Sequence, residues 1–461
     1  MSGALCAWAR GLAALTLLCG GCGAVKPLPA PPGRATACRD ESAVDVLHHD
    51  IALSLQLQPP ALAGRGEVRI KTRRATDTVV LHAKLQVRAV TTDAGPLRFH
   101  LENGLLCVEL PQRLPAGVEL GLKMVWDVRT DGAMPKFSPE QVWAGYNAAA
   151  WMPTRQDPAQ RATLALRISA PAELKVAASG RALAPQVMPL GMTMHSFVLD
   201  QPSPPFLYAF AAGRFQEAML DVDGLRLRAL GPVGAELDAA LAVTAQAQRF
   251  YSERLRYRLP LPVYTQVFVA GDAAQEAAGM AILAASFLKD LRQDPSEDWV
   301  FAHELGHQWF AWLLPCADFA DFWLNEGFAT FLVAAVKEQR WGQSAGDREV
   351  RLWRARSDRV HREGRDRPLS TSAPGMTSMS PPTESQLPSR GVTYARGALA
   401  LHRLRRELGD GPFWNGVRLY VKDYAGRSVR SEDLRRAMEA GSGVDLRAFF
   451  ARWVYQAAPD L

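Results

Sequence analysis

Hydrophobic and polar positions alternate in short runs over the first part of the chain. Between residue 44 and about residue 128 these runs include IALSLQLQ, GEVRIKT and TVVLHAKLQVRAV, and Gly, Pro and Asp separate them. Alternation with a period of two predicts strands with one buried face, and the frequent turn residues predict hairpins. The pattern therefore predicts an antiparallel β-domain.

The periodicity changes to helical spacing from about residue 231, with one strand-like run at residues 264–270. The chain is therefore predicted to have an α+β fold, with a β-domain at residues 44–217 and a mainly helical domain at residues 218–461. Residues 364–390 are rich in Pro, Ser and Thr, which predicts a long loop.

Composition and charge leave this picture unchanged. The chain has 461 residues, of which 48% are apolar and 22% charged, as in ordinary globular proteins. The net charge is +6, and residues 351–367 form an arginine-rich run. Asp and Glu are interspersed in that run and apolar residues are sparse. A solvated helix face followed by a loop is thus favoured over a nucleic-acid or membrane patch, and we expect no nucleic-acid partner.

The N-terminus has the features of an export signal. Arg10 precedes an apolar run of export-signal length, which favours a signal peptide over a permanent membrane span. The sequence LCGGC resembles a bacterial lipoprotein cleavage site, with Cys19 where leucine is usual. We expect residues 1–22 to be a signal peptide with lipidation at Cys22, and residues 23–43 to be a Pro-rich tether. The expected location is the bacterial cell envelope, as an anchored lipoprotein or a periplasmic or secreted protein; plain secretion and an uncleaved anchor are the alternatives.

Three further cysteines remain after such a cleavage. In an oxidising compartment Cys38 could pair with Cys107, although the spacing leaves this open. Cys316 is predicted to lie in a turn between two helices.

A metal-binding pattern occupies the centre of the helical domain. His303-Glu304-x-x-His307 is followed, after 18 residues, by Glu326 in the phrase NEGFA. Residues four apart lie on one face of a helix, so the two imidazoles can share a metal ion with Glu304 beside them. A bare H-E-x-x-H occurs by chance in helices, but the second carboxylate completes a zinc ligand set of His303, His307 and Glu326. Three protein ligands leave the fourth position open, which indicates a catalytic site.

Start and stop signals surround this pattern. Asp294-Pro295-Ser296-Glu297 predicts a capped helix start, and Pro315 predicts its end. Asp318 or Asp321 is then expected to cap a return helix that carries Glu326.

These residues resemble the gluzincin aminopeptidases, the family that includes alanyl aminopeptidase and leukotriene hydrolase. HELGHQWF and WLNEGFATF are close to the wording of the family, and VTYARGALALHRL resembles the helix that bears its catalytic tyrosine, here Tyr394. The similarity covers most of the chain from about residue 45. It implies a thermolysin-like catalytic domain, a zinc cofactor and a peptide substrate, with Glu304 as general base and Tyr394 as an oxyanion donor. We expect the helical C-terminal domain of larger relatives to be absent.

One segment departs from the family pattern. A G-x-M-E-N-type strand binds the free amino group of the substrate through its glutamate, and the corresponding residues here include Gly279, Met280 and Ala281. Alanine stands where that glutamate would be, and Glu276 would need a bulge or a different path to replace it. The strand around Gly279 and Met280 is expected to pair with the substrate backbone.

The sequence thus predicts a zinc-dependent metallopeptidase of aminopeptidase type. The alternatives are a zinc endopeptidase or other hydrolase, because of Ala281, and a noncatalytic binding scaffold.

Overall fold

A computed structural model of the chain describes Cys38, residues 41–371 and residues 390–457. The predicted signal peptide, Cys22 and most of the Pro-rich tether lie outside these residues, as does much of the predicted loop at residues 364–390.

The first part of the described chain is built from strands. They are β1 Val44–Gln56, β2 Ala61–Thr72, β3 Thr76–His82, β4 Gln86–Thr92, β5 Gly95–Pro96, β6 Arg98–Glu102, β7 Leu105–Leu114, β8 Glu119–Asp127, β9 Lys136–Phe137, β10 Gln141–Ala144, β11 Ala162–Pro171, β12 Lys175–Ala178, β13 Arg181–Ala182, β14 Gln186–Met188, β15 Met192–Ser203 and β16 Phe210–Gly213.

These strands form three sheets, as the alternating pattern predicts. The largest has the order β13-β15-β11-β1-β2-β8-β4-β5 with β14 on β15, and the others are β3-β7-β6 and β12-β16-β10-β9. Burial alternates regularly along β11, so one face enters the core and the other meets solvent or a second layer. Pairing is antiparallel except between β1 and β11, which run parallel from His48 opposite Thr163 to Ser54 opposite Ser169. Cys38 and Cys107 form a disulfide with their Cα atoms 5.7 Å apart, which decides the pairing that the spacing left open.

The helical domain begins with a sheet of its own. Its strands are β17 Phe215–Val222, β18 Leu225–Pro232, β19 Val263–Val269, β20 Ala274–Ala277 and β21 Met280–Ala284. The order is β17-β18-β19-β21-β20, in which β18, β19 and β21 are parallel and β20 is an antiparallel edge strand. The first strand spans the predicted domain boundary at residue 217, and β19 confirms the predicted strand at residues 264–270.

The helices pack on one another and on this sheet. They are α1 Leu237–Leu255, α2 Ser286–Gln293, α3 Trp299–Gly306, α4 Trp323–Trp341, α5 Gln343–Arg362, α6 Gly397–Leu408, α7 Asp410–Tyr424, α8 Ser431–Ser442 and α9 Arg447–Trp453, with π-helical segments at Gln308–Leu313 and Gly391–Arg396. The α+β fold class is confirmed. The segment Phe319–Trp341, which includes α4, is apolar and long enough to cross a membrane, but it is almost entirely buried in this core.

The helix that carries the H-E-x-x-H pattern is shorter than predicted. Asp294 does not cap it, because the Asp294 carboxylate accepts hydrogen bonds from the backbone and hydroxyl of Ser296 at 2.8 Å. The helix α3 starts only after Asp298, and His307 is its C-terminal cap. Beyond it, Phe310 leaves helical geometry with φ −104° and ψ 42°. The π-helical segment that follows α3 ends at Leu313, before Pro315, as expected.

Candidate metal centre and active site

Three ligand-type atoms converge where α3 ends and α4 begins. The Nε2 atoms of His303 and His307 are 3.1 Å apart, and the Glu326 Oε2 lies 3.4 Å from the first and 3.5 Å from the second. All three side chains are buried. The structure therefore brings together the three residues that the sequence proposes as metal ligands.

The size of this triangle fits a zinc ion. Zinc binds histidine nitrogen and carboxylate oxygen at about 2.0–2.2 Å, and a tetrahedral angle then separates neighbouring ligand atoms by about 3.3–3.5 Å. The two separations to Glu326, 3.4 and 3.5 Å, fall in this range, and the imidazole nitrogens at 3.1 Å are slightly closer. The same Glu326 oxygen has no hydrogen-bond donor of its own among the described residues. A buried carboxylate oxygen facing two imidazole nitrogens calls for a cation between them.

The turn between the two helices fixes the position of Glu326. The Asp318 carboxylate accepts a hydrogen bond from the Ala320 backbone at 2.9 Å and so caps the short 3-10 turn that leads into α4. The Asn325 side chain accepts a hydrogen bond from the Cys316 backbone at 3.2 Å, which ties the turn to the first turn of α4. Cys316 is a buried free cysteine in this turn, and burial raises the pKa of its thiol well above the usual value. It lies outside the ligand triangle, as predicted.

Glu304 lies beside the triangle with a free oxygen. Its ligand atom, that of His307 and that of Glu276 all lie within 4.8 Å of one another. Its Oε2 has no hydrogen-bond partner among the described residues. Burial raises the pKa of Glu304, His307 opposes this rise, and the carboxylates of Glu276 and Glu326 add to it. A carboxylate so placed can accept a proton from a group bound at the metal position.

Tyr394 closes the other side of the triangle. It lies in the π-helical segment Gly391–Arg396, and its ring stacks on the His303 imidazole with centroids 5.8 Å apart and planes 9° apart. Burial raises the pKa of Tyr394 well above its usual value, and the nearby Glu326 and Glu276 add to this. The phenol therefore stays protonated and can donate a hydrogen bond.

Two glycines let the Tyr394 segment approach α4. A Cβ atom on Gly397 would lie 3.0 Å from the Cα atom of Gly327 on α4, and a Cβ atom on Gly327 would lie 3.0 Å from Gly397. This separation is shorter than ordinary van der Waals contact, so neither position has room for a methyl group. Tyr394 lies three residues before Gly397 in the sequence, so the close approach of Gly397 to Gly327 also brings Tyr394 near the start of α4.

The strand at Met280 is not free to pair with a substrate. The strand β21 lies between β19 and β20, so both of its edges are occupied. The expectation that Gly279 and Met280 pair with the substrate backbone is therefore wrong. Among the described strands of this sheet, the edge nearest to the centre is β20, which carries Glu276.

A hairpin turn brings Glu276 opposite Ala281. In the register of β20 and β21, Ala277 pairs with Met280 and Glu276 pairs with Ala281. The two-residue turn between them needs a positive φ, which Gly279 adopts at +78°. Glu276 thus reaches this face from the neighbouring strand, which is the different path that the sequence analysis allowed, and no bulge is present in this register. Burial raises the pKa of Glu276, His307 opposes this rise, and Glu326 adds to it.

Sequence reasoning missed Gln308, the residue directly after His307. Its side chain accepts a hydrogen bond from the Gly279 backbone at 2.9 Å and donates one to the Ala277 carbonyl at 3.1 Å. It is fully buried. The sequence does carry a signal for Gln308, because it is a polar residue between the proposed ligand His307 and an apolar run. Gln308 locks the hairpin onto the helix end that presents His307.

A cavity of about 180 Å³ borders the centre on the side of His303 and Tyr394. Its wall comes from α3, α4 and α5 and includes Trp299, Thr330, Val333, Arg348, Trp353 and Arg356. It offers room for a side chain next to the metal position.

This fold and this ligand triangle define a zinc-metallopeptidase type of centre. Residues 239–453 match the Peptidase family M1 domain. This match confirms the resemblance to the gluzincin aminopeptidases over the helical domain. The zinc cofactor predicted from the sequence fits the ligand triangle of His303, His307 and Glu326.

Relatives cover different shares of the chain. Aminopeptidase N of Streptomyces lividans is 30% identical over 231 residues, which are 48% of this chain and 26% of that protein. Aminopeptidase M1-C of Oryza sativa subsp. japonica is 22% identical over 468 residues, which are 93% of this chain and 52% of that protein. The chain thus spans about half the length, or less, of these curated relatives.

A crystal structure shows the same fold over nearly the whole chain. The M1 zinc metallopeptidase from Deinococcus radiodurans superposes with a TM-score of 0.75 at 23% identity, and the match covers 91% of this chain and 95% of that one. The predicted β-domain followed by a helical catalytic domain is therefore a known arrangement.

Proposed function

We propose that this chain is a zinc-dependent metallopeptidase of aminopeptidase type that hydrolyses peptide bonds. The observation that carries the proposal is the ligand triangle of His303, His307 and Glu326 with the unpartnered carboxylate of Glu304 beside it. The match of residues 239–453 to the Peptidase family M1 domain supports it, as do relatives named aminopeptidases.

His303, His307 and Glu326 would hold the zinc ion, which when bound would act as a Lewis acid on the substrate carbonyl and lower the pKa of water toward neutrality. Glu304 accepts a proton from the attacking water and passes it to the leaving amine. Its unpaired oxygen and its position next to His307 suit this transfer.

Tyr394 donates a hydrogen bond to the oxygen that becomes negatively charged as the carbonyl is attacked. The stacking of its ring on His303 holds the hydroxyl near the metal position, and its raised pKa keeps the proton available. The adjoining cavity provides space for a substrate side chain.

Two alternatives have less support. The first alternative is an endopeptidase or another hydrolase. It would apply if no residue held the substrate amino group, because the alanine side chain at position 281 cannot do so. A noncatalytic scaffold is disfavoured because the ligands and the general base are all present, in two groups of side chains that share His307.

Metal removal tests the proposal. The purified chain should contain about one zinc ion, as a single His/His/Glu site requires. A chelator should abolish peptide hydrolysis, and zinc added back to one equivalent should restore it. His303→Ala should lose the metal during purification, because two protein ligands rarely retain zinc. Full hydrolysis by the metal-depleted chain would contradict the proposal.

We also propose that the chain is exported and anchored to a bacterial membrane by lipid at Cys22, which lies outside the described residues. The apolar run before Cys22 supports this, and so does the disulfide between Cys38 and Cys107, since disulfides persist in oxidising compartments.

Radiolabelled fatty acid and membrane fractionation test the anchor. The parent chain should incorporate label and sediment with membranes, whereas Cys22→Ala should do neither. Cys19→Ala is the matched control and should behave as the parent. Equal labelling of parent and Cys22→Ala would contradict lipidation at this residue.

A further inference from the structure

The cavity beside His303 and Tyr394 has a positively charged side that comes from α5. Arg348, Leu352 and Arg356 follow one another at four-residue spacing, so they lie along one face of this helix, and all three line the cavity. Both arginines are exposed, and neither forms an ion pair with a residue that the structure describes. Their guanidinium groups are therefore available to an anion that enters the cavity.

A polar group without a partner lies deeper in the same cavity. Thr330, one turn after Glu326 on α4, is part of the wall and is only 7% exposed. Its Oγ1 atom has no hydrogen-bond partner among the described residues. A buried hydroxyl without a partner is costly, which indicates that a ligand supplies an acceptor when it binds. The cavity thus offers a hydrogen-bond donor inside and two positive charges near solvent.

The other charged groups of the cavity leave the two arginines of α5 in excess. The Lys337 amine lies 2.7 Å from the Glu349 carboxylate, which balances its charge, and 3.8 Å from Asp298, which is itself paired with Arg340. Glu297 is the remaining acidic residue on the described wall, and it is exposed. Two guanidinium charges against one carboxylate leave a net positive charge. A cavity of this sign favours an anionic group and disfavours a cationic one.

The walls and the size of the cavity fit a single side chain with an apolar stem. Trp299, Val333 and Trp353 line it, and such surfaces pack well against the methylene groups of a long charged side chain. Its volume of about 180 Å³ is below the roughly 300–1,000 Å³ of pockets that enclose whole small ligands. An aspartate or glutamate side chain matches the walls, the hydroxyl and the guanidinium groups together.

The position of the cavity indicates which substrate residue enters it. The hairpin of β20 and β21 borders the centre near His307, and the β-domain closes that side through backbone hydrogen bonds from Ala278 to Leu207 and from Gly180 to Ala278. The cavity borders His303 instead and reaches solvent at the exposed arginines. A peptide that loses its first residue must extend from the centre toward an open side. The cavity is therefore placed for the residue that follows the cleaved bond.

We propose that this cavity binds the carboxylate side chain of an acidic residue directly after the cleaved peptide bond, and that Thr330, Arg348 and Arg356 determine this specificity. The inference rests on the proposed peptidase function and names its substrate class, which is peptides with aspartate or glutamate at the second position. An apolar side chain held between Trp299 and Trp353 is the rival occupant.

Four short peptides separate the position of the charge from its presence. One pair has glutamate or glutamine as the second residue, and the other pair has glutamate or glutamine as the first residue. The parent should have a kcat/KM about tenfold higher for glutamate than for glutamine at the second position, and no such preference at the first. Equal rates for the second-position pair, or a preference confined to the first position, would overturn the proposal. A parent that is fastest with phenylalanine at the second position would overturn it in favour of the apolar occupant.

Charge variants of α5 assign the preference to the two arginines. Arg348→Gln combined with Arg356→Gln should lower the ratio of the kcat/KM values for the second-position pair to about one. Arg348→Glu combined with Arg356→Glu should instead favour lysine over glutamine at that position. Arg351→Gln, an exposed arginine of the same helix that does not line the cavity, is the matched control and should keep the parental ratio. A parental ratio in the double glutamine variant would overturn the assignment.

The hydroxyl of Thr330 is tested with two substitutions of similar size. Thr330→Val removes the donor and should lower the glutamate preference about twofold to tenfold, as expected for one hydrogen bond. Thr330→Ser keeps the hydroxyl and should retain the preference. If valine and serine lower the preference equally, the residue only shapes the wall, and its place in the proposal is overturned.

Binding without turnover separates this inference from the proposed function. In the Glu304→Gln background, calorimetry should show that the peptide with glutamate at the second position binds about tenfold more tightly than its glutamine counterpart. The difference should vanish when Arg348→Gln and Arg356→Gln are added, and it should shrink as ionic strength rises. Equal binding of the two peptides would overturn the proposal even in a proven peptidase. Selective binding by a parent chain that hydrolyses neither peptide would refute the peptidase function alone.

Discussion

The phenol of Tyr394 lies against His303 while its raised pKa keeps the hydroxyl proton in place. Tyr394→Phe removes only the oxygen, so we expect zinc content and thermal stability close to the parent. Loss of one oxyanion donor should lower kcat about a hundredfold to a thousandfold. Steady-state kinetics with parallel zinc analysis checks this. Parental kcat in the variant would show that Tyr394 only packs against the ligand.

The acid stability of the β-domain should depend on His49. This side chain is fully buried, and its ring nitrogen lies 3.0 Å from the Thr154 hydroxyl. Burial lowers the pKa of His49 to about 3, and His48 adds to this. The unfolded chain therefore takes up a proton below about pH 6.5 that the folded chain refuses, so this contribution to stability is present above that pH and is lost toward pH 3.

A substitution isolates that contribution. His49→Gln retains an amide near Thr154 but cannot titrate. Between pH 6 and pH 4 the free energy of unfolding of the parent should fall more steeply than that of the variant, by up to about 1.4 kcal/mol per pH unit. Urea titrations at several pH values measure both slopes. Parallel slopes would show that His49 titrates normally in the folded chain.

Residues close in sequence were the predictable part of the site. The four-residue spacing of His303 and His307 depends only on helix geometry. The carboxylate of Glu276 could not be assigned in the same way, because its position depends on the register of β20 and β21. That register is fixed by a turn at Gly279 whose backbone is bonded to Gln308, a contact between residues 29 positions apart.

At the level of elements, the contact between α4 and the Tyr394 segment is the most constrained. Gly397→Ala places a methyl group 3.0 Å from the Gly327 backbone, which cannot rotate away. We expect a loss of about 1–3 kcal/mol in stability from overpacking, with a fall in kcat because Tyr394 is displaced. Denaturant unfolding and kinetics measure the two effects. Gly132→Ala is the control, since its nearest atoms are 3.6 Å away or more; equal effects of both variants would contradict the account.

The start of α3 shows where element prediction from sequence fails. The stretch from Asp294 to Glu297 has every feature of a helix start. The Asp294 carboxylate nevertheless accepts a hydrogen bond from the Ser296 backbone in a local turn. The buried Asp298 instead begins the helix, and the ends of Arg340 and Lys337 on α4 reach it. The local capping signals favour Asp294, and the ion pairs of Asp298 with α4 lie outside what those signals can show.

At the level of the whole molecule, the β-domain supports segments that adjoin the active site. Leu207 and Gly180 bond the turn residue Ala278, and the Ser203 hydroxyl accepts a hydrogen bond from the Trp312 indole at 2.9 Å. The order of domains followed from periodicity alone. The parallel pairing of β1 with β11 did not, because it joins strands about 115 residues apart and no local pattern specifies it.

The central claim is that Glu304, beside one zinc ion, is the base in peptide hydrolysis. The most direct measurement is kcat for peptide hydrolysis by Glu304→Gln, with zinc content determined on the same sample. Glutamine keeps the shape of the side chain but accepts a proton poorly, so turnover should fall about a hundredfold to ten-thousandfold. Zinc should remain at about one ion per chain, because the ligands are unchanged. A variant that retains its zinc and hydrolyses peptides at the parental rate would contradict the account.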